Sequence, residues 1–328
     1  MYRVAVVRGG PSEEHDVSMR TGDSVISALK NSEFVVSDIV VSRAGEWLQH
    51  GRVWDPIQIL QSVDVVFIAL HGAYGEDGKI QRYLDTHSIP YTGSKAYPSS
   101  VAFNKALTKD YLNRHDIKLA PHLYAAKENI SDPFKFAEAT SGVFDGPFVI
   151  KPVTGGSSVG IVIAKNTTEL ALALEKLFQT YDNLLVEKRI IGKEATIGVI
   201  NNFREKLIYT LPPVEIIPKT EFFDYQAKYD GTTMEVCPGC FSSEEKSALA
   251  QAATLVHNEL GLSQYSRSDF IVAADGVYFL EVNTLPGLTT ESLFPKALEA
   301  VGVSYSGFVQ HLLLDTLRHL PTSHKILV

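Results

Sequence analysis

The stretch from Ser268 to Asn283 restricts the folding of this chain more than any other. Two apolar runs, Ser268 to Ala273 and Val277 to Val282, flank an Asp275-Gly276 dipeptide, which favours the tight turns that join antiparallel strands. The spacing predicts a hairpin. Pairing its strands brings Asp269 near Glu281 and Asn283. Two acids and an amide on neighbouring strand ends offer the hard oxygen donors that a magnesium ion takes when phosphate oxygens and water complete its shell. Alone, the same residues also fit a turn capped by Asp and Asn side chains.

A second hairpin lies far upstream. Phe148-Val149-Ile150-Lys151-Pro152 leads through Val153-Thr154-Gly155-Gly156-Ser157-Ser158-Val159-Gly160 into Ile161-Val162-Ile163. Backbone N–H groups in such a loop, with the hydroxyls of Ser157 and Ser158, can approach phosphate oxygens, while Lys151 adds a point charge. An apolar strand before a glycine loop is also a poor place for a merely solvated lysine. The pattern differs from the Walker loop, where Gly-Lys-Ser/Thr opens a helix, and from the G-x-G-x-x-G of dinucleotide folds. Together the two hairpins predict a site for a nucleotide and its metal.

Length and charge narrow the partners. At 328 residues the chain suffices for two or three modules, and 45% hydrophobic residues support packed cores. A net charge of −8 argues against nucleic acid, which calls for a basic face. No apolar run approaches the roughly 18 residues of a membrane span, and the first strand passes directly into Gly9, Gly10 and acids, unlike a secretory signal. The expectation is a cytoplasmic protein that engages no membrane. Cys237-Pro238-Gly239-Cys240 lacks the further ligands of a zinc site and the βαβ setting of a thioredoxin-like motif, so it is read as a pair of reduced thiols.

Periodicity divides the chain into three regions. Residues 1–97 alternate strands (Val4 to Val7, Val35 to Val41, Val65 to Leu70) with helices (Ser18 to Lys30, Lys79 to His87), which suits a small parallel sheet. Residues 98–187 open on a helix from Ser99 to Arg114, with Lys105 and Lys109 one turn apart, and hold the phosphate hairpin and a helix from Thr168 to Thr180. Residues 188–328 contain strands at Thr196 to Ile200 and Leu207 to Thr210, a helix from Ser243 to Leu260, the acidic hairpin and terminal helices.

Lys-Pro followed by Gly-Ser-Ser-Val-Gly, an Arg-x-Asp strand (Arg267, Asp269) and Glu-x-Asn with Pro-Gly, in this order, resemble the ATP-grasp ligases. Gly9-Gly10-Pro11-Ser12-Glu13-Glu14-His15-Asp16-Val17-Ser18 and His71-Gly72-Ala73-Tyr74-Gly75-Glu76-Asp77-Gly78 narrow the resemblance to the D-alanine:D-alanine ligase family. Asp224 to Tyr229 is similar to that family's substrate-covering loop, and Pro286 to Leu293 to its C-terminal motif. The resemblance implies an α/β and α+β chain in which an N-terminal parallel-sheet domain precedes two α+β modules that clasp ATP. It also implies D-alanine as substrate, magnesium or manganese as metal, and a homodimer.

Several roles come from that resemblance. Asp269, Glu281 and Asn283 are implied as metal ligands. Lys105, Lys151 and Ser158 are implied at the phosphates, and Glu187 with Lys188 to Ile190 at the adenine. Glu194 is implied at the ribose, whose vicinal hydroxyls one carboxylate can accept. Glu14, with Glu13 as competitor, is implied for the ammonium of the first D-alanine. Arg267 and the Gly287 N–H are implied as donors to an oxyanion, Ser292 and Leu293 as surroundings of the second substrate, and Lys228 as a contact of both that substrate and the nucleotide. Ser157 and Tyr229 are implied to join the glycine loop to a covering lid. His71 admits two readings, orienting or deprotonating the second amine, or a strand-end histidine satisfied by its neighbours. Thr154-Gly155 and the serines flanking Arg267 depart from the family pattern without removing a required chemical group. The expected reaction is ATP-dependent joining of two D-alanines through D-alanyl phosphate. D-lactate or D-serine as second substrate, or a non-catalytic binding protein of the same fold, are the alternatives.

Overall fold

The computed structural model describes residues 1–156, 159–218 and 233–318. Three sheets follow one another along the chain. The first has the strand order Arg52–Val53, Trp47–Gln49, Phe34–Val41, Tyr2–Gly9, Val65–Ile68. Tyr2–Gly9 runs parallel to both of its neighbours. Its residues Val4 to Val7 are wholly buried, which is why this strand reads as an unbroken apolar run rather than an alternating one. Part of the cover comes from the far end of the chain. Phe308, Val309, Leu312 and Leu313 of helix Tyr305–Arg318 share a core with Val4 to Val7.

The second sheet is antiparallel, in the order His122–Ala126, Asn183–Lys188, Phe148–Pro152, Val162–Ala164. Helices Pro133–Val143 and Thr167–Leu177 cover it, packing Ala137, Leu170 and Leu174 on Ile150, Leu184 and Val186. Each helix starts where a side chain meets its exposed amides: Asp132 accepts from Phe134 and Lys135 with Pro133 opening the helix, and Asn166 accepts from Glu169.

The third sheet runs Thr233–Val236, Val214–Pro218, Lys193–Phe203, Tyr265–Ala273, Gly276–Asn283, Lys118–Leu119, with Lys206–Thr210 also pairing to Lys193–Phe203. Helix Ser243–Glu259 begins in a reciprocal capping box between Ser242 and Glu245. It lays Leu249, Ala253 and Val256 on Ala195, Ile197, Phe270 and Phe279.

Two expectations shift. The helix expected from Ser99 to Arg114 is two helices, Ala96–Phe103 and Lys105–Leu112. Asn104 between them is extended (φ −101°, ψ 103°), accepts from the Leu107 amide at 3.0 Å and bridges to Thr154 of the glycine loop. A short amide side chain competes with helical backbone bonding and suits a cap. Ala102 and Leu112 of these helices lie in the core of the third sheet, and Lys118–Leu119 adds a strand to it. The segment from 98 to 119 thus packs with the third sheet, and the central sheet begins at His122. The acidic hairpin also turns one residue earlier than expected. Ala273 pairs with Gly276, so Ala274 and Asp275 form the loop, and Gly276 takes a φ of +142°.

His257 is fully buried behind this sheet, with Nδ1 2.8 Å from the Ser266 hydroxyl and Nε2 2.6 Å from Asn201 Oδ1. Burial lowers its pKa from 6.5 to about 4. Between those values the unfolded chain binds the extra proton, so this stabilisation is complete above pH 6.5 and is lost as pH falls. Wild type should therefore lose up to about 1.4 kcal/mol per pH unit more than His257→Gln in that window, measured by urea unfolding. Parallel pH profiles for the two proteins would refute it.

Candidate active site

The acidic hairpin carries a one-residue irregularity that decides its chemistry. Asp269 pairs with Glu281 and Arg267 with Asn283, but Phe270 pairs with Phe279, which leaves Leu280 without an opposite residue. In a regular strand, residues three apart face opposite ways. Here both Phe279 and Val282 enter the core under helix Ser243–Glu259, and the bulge puts Glu281 and Asn283 on the face of Arg267 and Asp269. Arg267 holds Asp269 through two bonds, Nε to Oδ1 at 3.0 Å and Nη2 to Oδ2 at 2.9 Å. Asn283 Nδ2 lies 3.3 Å from Asp269 Oδ2, and the buried Thr196 hydroxyl donates to Oδ1. Burial alone would lower the Arg267 pKa, but Asp269, with Glu281 and Glu76 beyond it, holds the guanidinium above its ordinary value. It is a permanent cation in a niche of acids.

Lysines approach the same acids from the other side. Lys105 Nζ is 2.7 Å from the Gly155 carbonyl and 3.3 Å from Glu281 Oε2. Its backbone amide bonds the Val153 carbonyl at 2.9 Å, tying the start of helix Lys105–Leu112 to the glycine loop. Lys105, Lys151, Thr154, Gly155, Gly156 and Glu281 line one pocket. Lys151 Nζ is 2.7 Å from Glu187 Oε2. Glu187 is 3% exposed, and its other oxygen lies 2.8 Å from Lys109 Nζ. Burial pushes this carboxyl up, but the two ammonium groups outweigh it and bring its pKa to about 2. The Glu187 side chain is therefore turned to the lysines. The Lys188 and Arg189 amides donate to the carbonyls of Pro121 and Pro147, each at 2.8 Å, so a purine at this hinge must meet other backbone groups. Glu194 sits half-buried on strand Lys193–Phe203, opposite Ile216 and Ile271.

The N-terminal domain contributes a third side. Glu13 is exposed, whereas Glu14 is half-buried at the head of helix His15–Ala28. Glu14 Oε2 would stand 2.7 Å from a Cβ at Gly72 and 3.0 Å from one at Gly156, so the carboxylate lies where the N-terminal domain meets the phosphate loop. His71 is buried, with Nδ1 2.9 Å from the Leu285 carbonyl and Nε2 2.8 Å from the Thr21 hydroxyl. Burial lowers its pKa to about 4, with the Arg267 charge adding to the shift, so the ring is neutral near pH 7. The Leu285 bond implies a proton on Nδ1 and leaves Nε2 to accept from Thr21.

Sequence reasoning passed over two buried groups. Glu76, in the His71 to Gly78 motif, accepts the Gly72 amide at 3.1 Å and lies 4.0 Å from His71. Burial, then the Glu14 charge, raises its pKa above the ordinary carboxylate range. Lys109 was visible only as a neighbour of Lys105, because spacing does not separate a solvated lysine from a buried one. Near the end of the chain, Ser292 Oγ is 3.2 Å from the Thr289 amide and would stand 2.9 Å from a Cβ at Gly287. Leu293 begins helix Leu293–Ala300 and packs on the shared core. Ser157, Ser158, Lys228 and Tyr229 lie outside the described residues. Cys237 and Cys240 are free thiols, half-buried and exposed respectively.

Lys151 and the glycine loop on the central sheet, facing Lys105 and the acidic hairpin on the third across one pocket, make the arrangement of an ATP-grasp ligase. Residues 111–314 match the family model described as D-ala D-ala ligase C-terminus, and residues 3–59 and 51–94 match its N-terminal counterpart. The D-alanine–D-alanine ligase of Geobacter sulfurreducens is 36% identical over 316 residues, covering 95% of this chain and 93% of that protein. The Bacillus anthracis enzyme of the same name, crystallised with ATP, superposes with a TM-score of 0.81 at 30% identity and 99% coverage of both chains. The VanG D-Ala:D-Ser ligase of Enterococcus faecalis gives 0.82 at 26% identity, over 96% of this chain and 99% of that one. The chain belongs to the D-alanine–D-alanine ligase family.

Gly72 adopts a φ of +67°, and Gly45 one of +86° with open space around it. Alanine at either position should cost about 1 kcal/mol through left-handed backbone strain. Gly72→Ala should cost more, because its Cβ would also meet Ser12 Cβ at 3.2 Å and the Glu14 carboxylate at 2.7 Å. Equal losses in chemical denaturation would show that Ser12 and Glu14 yield to the methyl group without cost.

Proposed function

We infer that this protein joins two D-alanines to D-alanyl-D-alanine at the expense of ATP, for cell-wall precursor synthesis. The observation that carries the reading is the convergence of Lys105, Lys151, Glu281, Asp269 and Arg267 on one site in a chain matched along nearly its whole length to this family.

The residues divide the work by charge. Lys105 and Lys151 offset phosphate charge at the glycine loop, with Ser157 and Ser158 as further donors. Glu187 and the following hinge bound the adenine side, and Glu194 accepts from the ribose. Glu14 receives the ammonium of the first D-alanine, which leaves that substrate's carboxylate to take the γ-phosphoryl group and release ADP. The amine of the second D-alanine, once it has lost a proton to solvent, then attacks the resulting acyl phosphate, and the tetrahedral species collapses to the peptide bond with loss of inorganic phosphate. Arg267 and the Gly287 N–H serve as the donors to the negative charge that develops on the carbonyl oxygen, since fixed donors stabilise a tetrahedral species. Ser292, Leu293 and Lys228 surround the second substrate. Ser157 and Tyr229 close the lid, which keeps water from the acyl phosphate. His71, neutral with both nitrogens engaged, orients the Leu285 to Gly287 loop rather than moving a proton.

Asp269, Glu281 and Asn283 fit a magnesium or manganese ion by the chemistry of the set, two carboxylates and an amide brought to one face of the sheet. A bound divalent ion there would neutralise charge on the transferred phosphoryl group. No helix among the described residues is long and apolar enough to cross a membrane, and we place the enzyme in the cytoplasm as a homodimer, in keeping with its family.

Coupled detection of ADP release with D-alanine, L-alanine, D-serine and D-lactate, with chromatography of the product, tests the reading. D-Alanine alone should support turnover and yield the dipeptide. A mixed product with D-serine or D-lactate would reassign the second substrate, and no ADP release with any D-amino acid would overturn catalysis. Arg267→Ala should lower turnover about 10²–10³-fold with ATP affinity little changed. Glu281→Gln, which removes one charge with little change in volume, should lose most activity while remaining folded by circular dichroism. Near-normal turnover at limiting magnesium would remove Glu281 from the metal site.

A further inference from the structure

Two buried lysines share one buried carboxylate beside the phosphate pocket. Lys109 is 0% exposed, Lys151 5% and Glu187 3%, and the two ammonium groups lie 2.8 and 2.7 Å from different oxygens of Glu187. Lys151 lines the pocket together with Lys105. Lys109 sits one turn deeper on the Lys105 helix, with Nζ 3.3 Å from the Phe279 carbonyl and 5.8 Å from the Phe279 ring centre.

Packing alone does not call for a lysine here. An unbranched apolar side chain would fill the space without the several kcal/mol that desolvating an ammonium costs. Charge balance gives the lysine a purpose. With Lys151 as sole partner, Glu187 would cancel its charge and present a neutral pair to a highly anionic ligand. A second lysine on the other carboxylate oxygen leaves the trio with one net positive charge, and only Lys151 can deliver it to the pocket.

We propose that Lys109 is a positioning residue for nucleotide binding: by occupying one oxygen of Glu187 it keeps the charge of Lys151 uncancelled and its ammonium aimed at the phosphates. The inference rests on reading this pocket as the ATP phosphate site. Lys109 itself touches no substrate, and its effect falls on ATP affinity rather than on the chemical step.

The test is calorimetric titration with ATP and magnesium, alongside steady-state kinetics and thermal melting of the full-length protein. Lys109→Met should weaken ATP binding on the order of tenfold, the size expected for one unit charge at roughly 10 Å and an effective dielectric of about 20. Its turnover at saturating ATP should stay within about threefold of wild type. The conservative Lys109→Arg keeps a cation on the Glu187 oxygen, so its ATP affinity should stay within about threefold of wild type. Lys109→Gln, neutral but still a donor to that oxygen, serves if Lys109→Met fails to fold and should weaken binding about as much. Unchanged affinity in a folded neutral variant, or a folded Lys109→Arg that binds ATP tenfold or more weakly than wild type, would overturn the inference. Failure of wild type itself to bind ATP would instead overturn the reading of the pocket.

Discussion

The bulge at Leu280 sets which face of the third sheet carries chemistry. Without the bulge, Leu280 would pair with Asp269, and the register that pairs Phe270 with Phe279 would continue and place Glu281 opposite Ser268, which is buried on the core side. An unpaired carboxylate there would be costly enough to lose its charge. With the bulge, Glu281 and Asn283 join Arg267 and Asp269 on the pocket side, while Phe279 and Val282 both stay in the core. One irregular backbone position thus satisfies hydrophobic packing and the assembly of an ionic site.

Around that face, charges are arranged in alternation so that none is left alone. Arg267 binds Asp269, Lys105 reaches Glu281, and Lys151 shares Glu187 with Lys109. Ion pairs of this kind contribute little net stability once desolvation is counted. Their value lies in holding cations at fixed positions before an anionic substrate arrives, which avoids reorganisation during the reaction. The raised pKa of Glu76 and the lowered pKa of His71 belong to the same economy of space, since each buried group stays neutral where a further charge would face an unsuitable neighbour.

The site also depends on how firmly the N-terminal domain is joined to the rest. Gln264, at a φ of +63°, accepts from the Gly93 amide at 2.7 Å and donates to the Leu312 carbonyl at 3.0 Å and the Thr316 hydroxyl at 2.8 Å. His71 bonds the Leu285 carbonyl across 214 residues of sequence. With the shared core of Val4 to Val7 and helix Tyr305–Arg318, these contacts keep Glu14 in place against the phosphate loop.

Local patterns in the chain were enough to expose the two hairpins, most strands and helices, and the identity of the charged residues, because strand alternation, turn residues and capping depend on neighbours within a few positions. They also made the family resemblance readable, since its motifs are short and contiguous. The break at Asn104, the packing of residues 98–119 with the third sheet, the parity change at Leu280 and the burial of Lys109 and Glu76 were settled only in three dimensions. Each depends on a partner distant in sequence: Thr154 for Asn104, Phe279 for Lys109, Glu14 for Glu76. Charge and hydrogen bonding act through space, and a linear pattern records which groups exist without recording which ones meet.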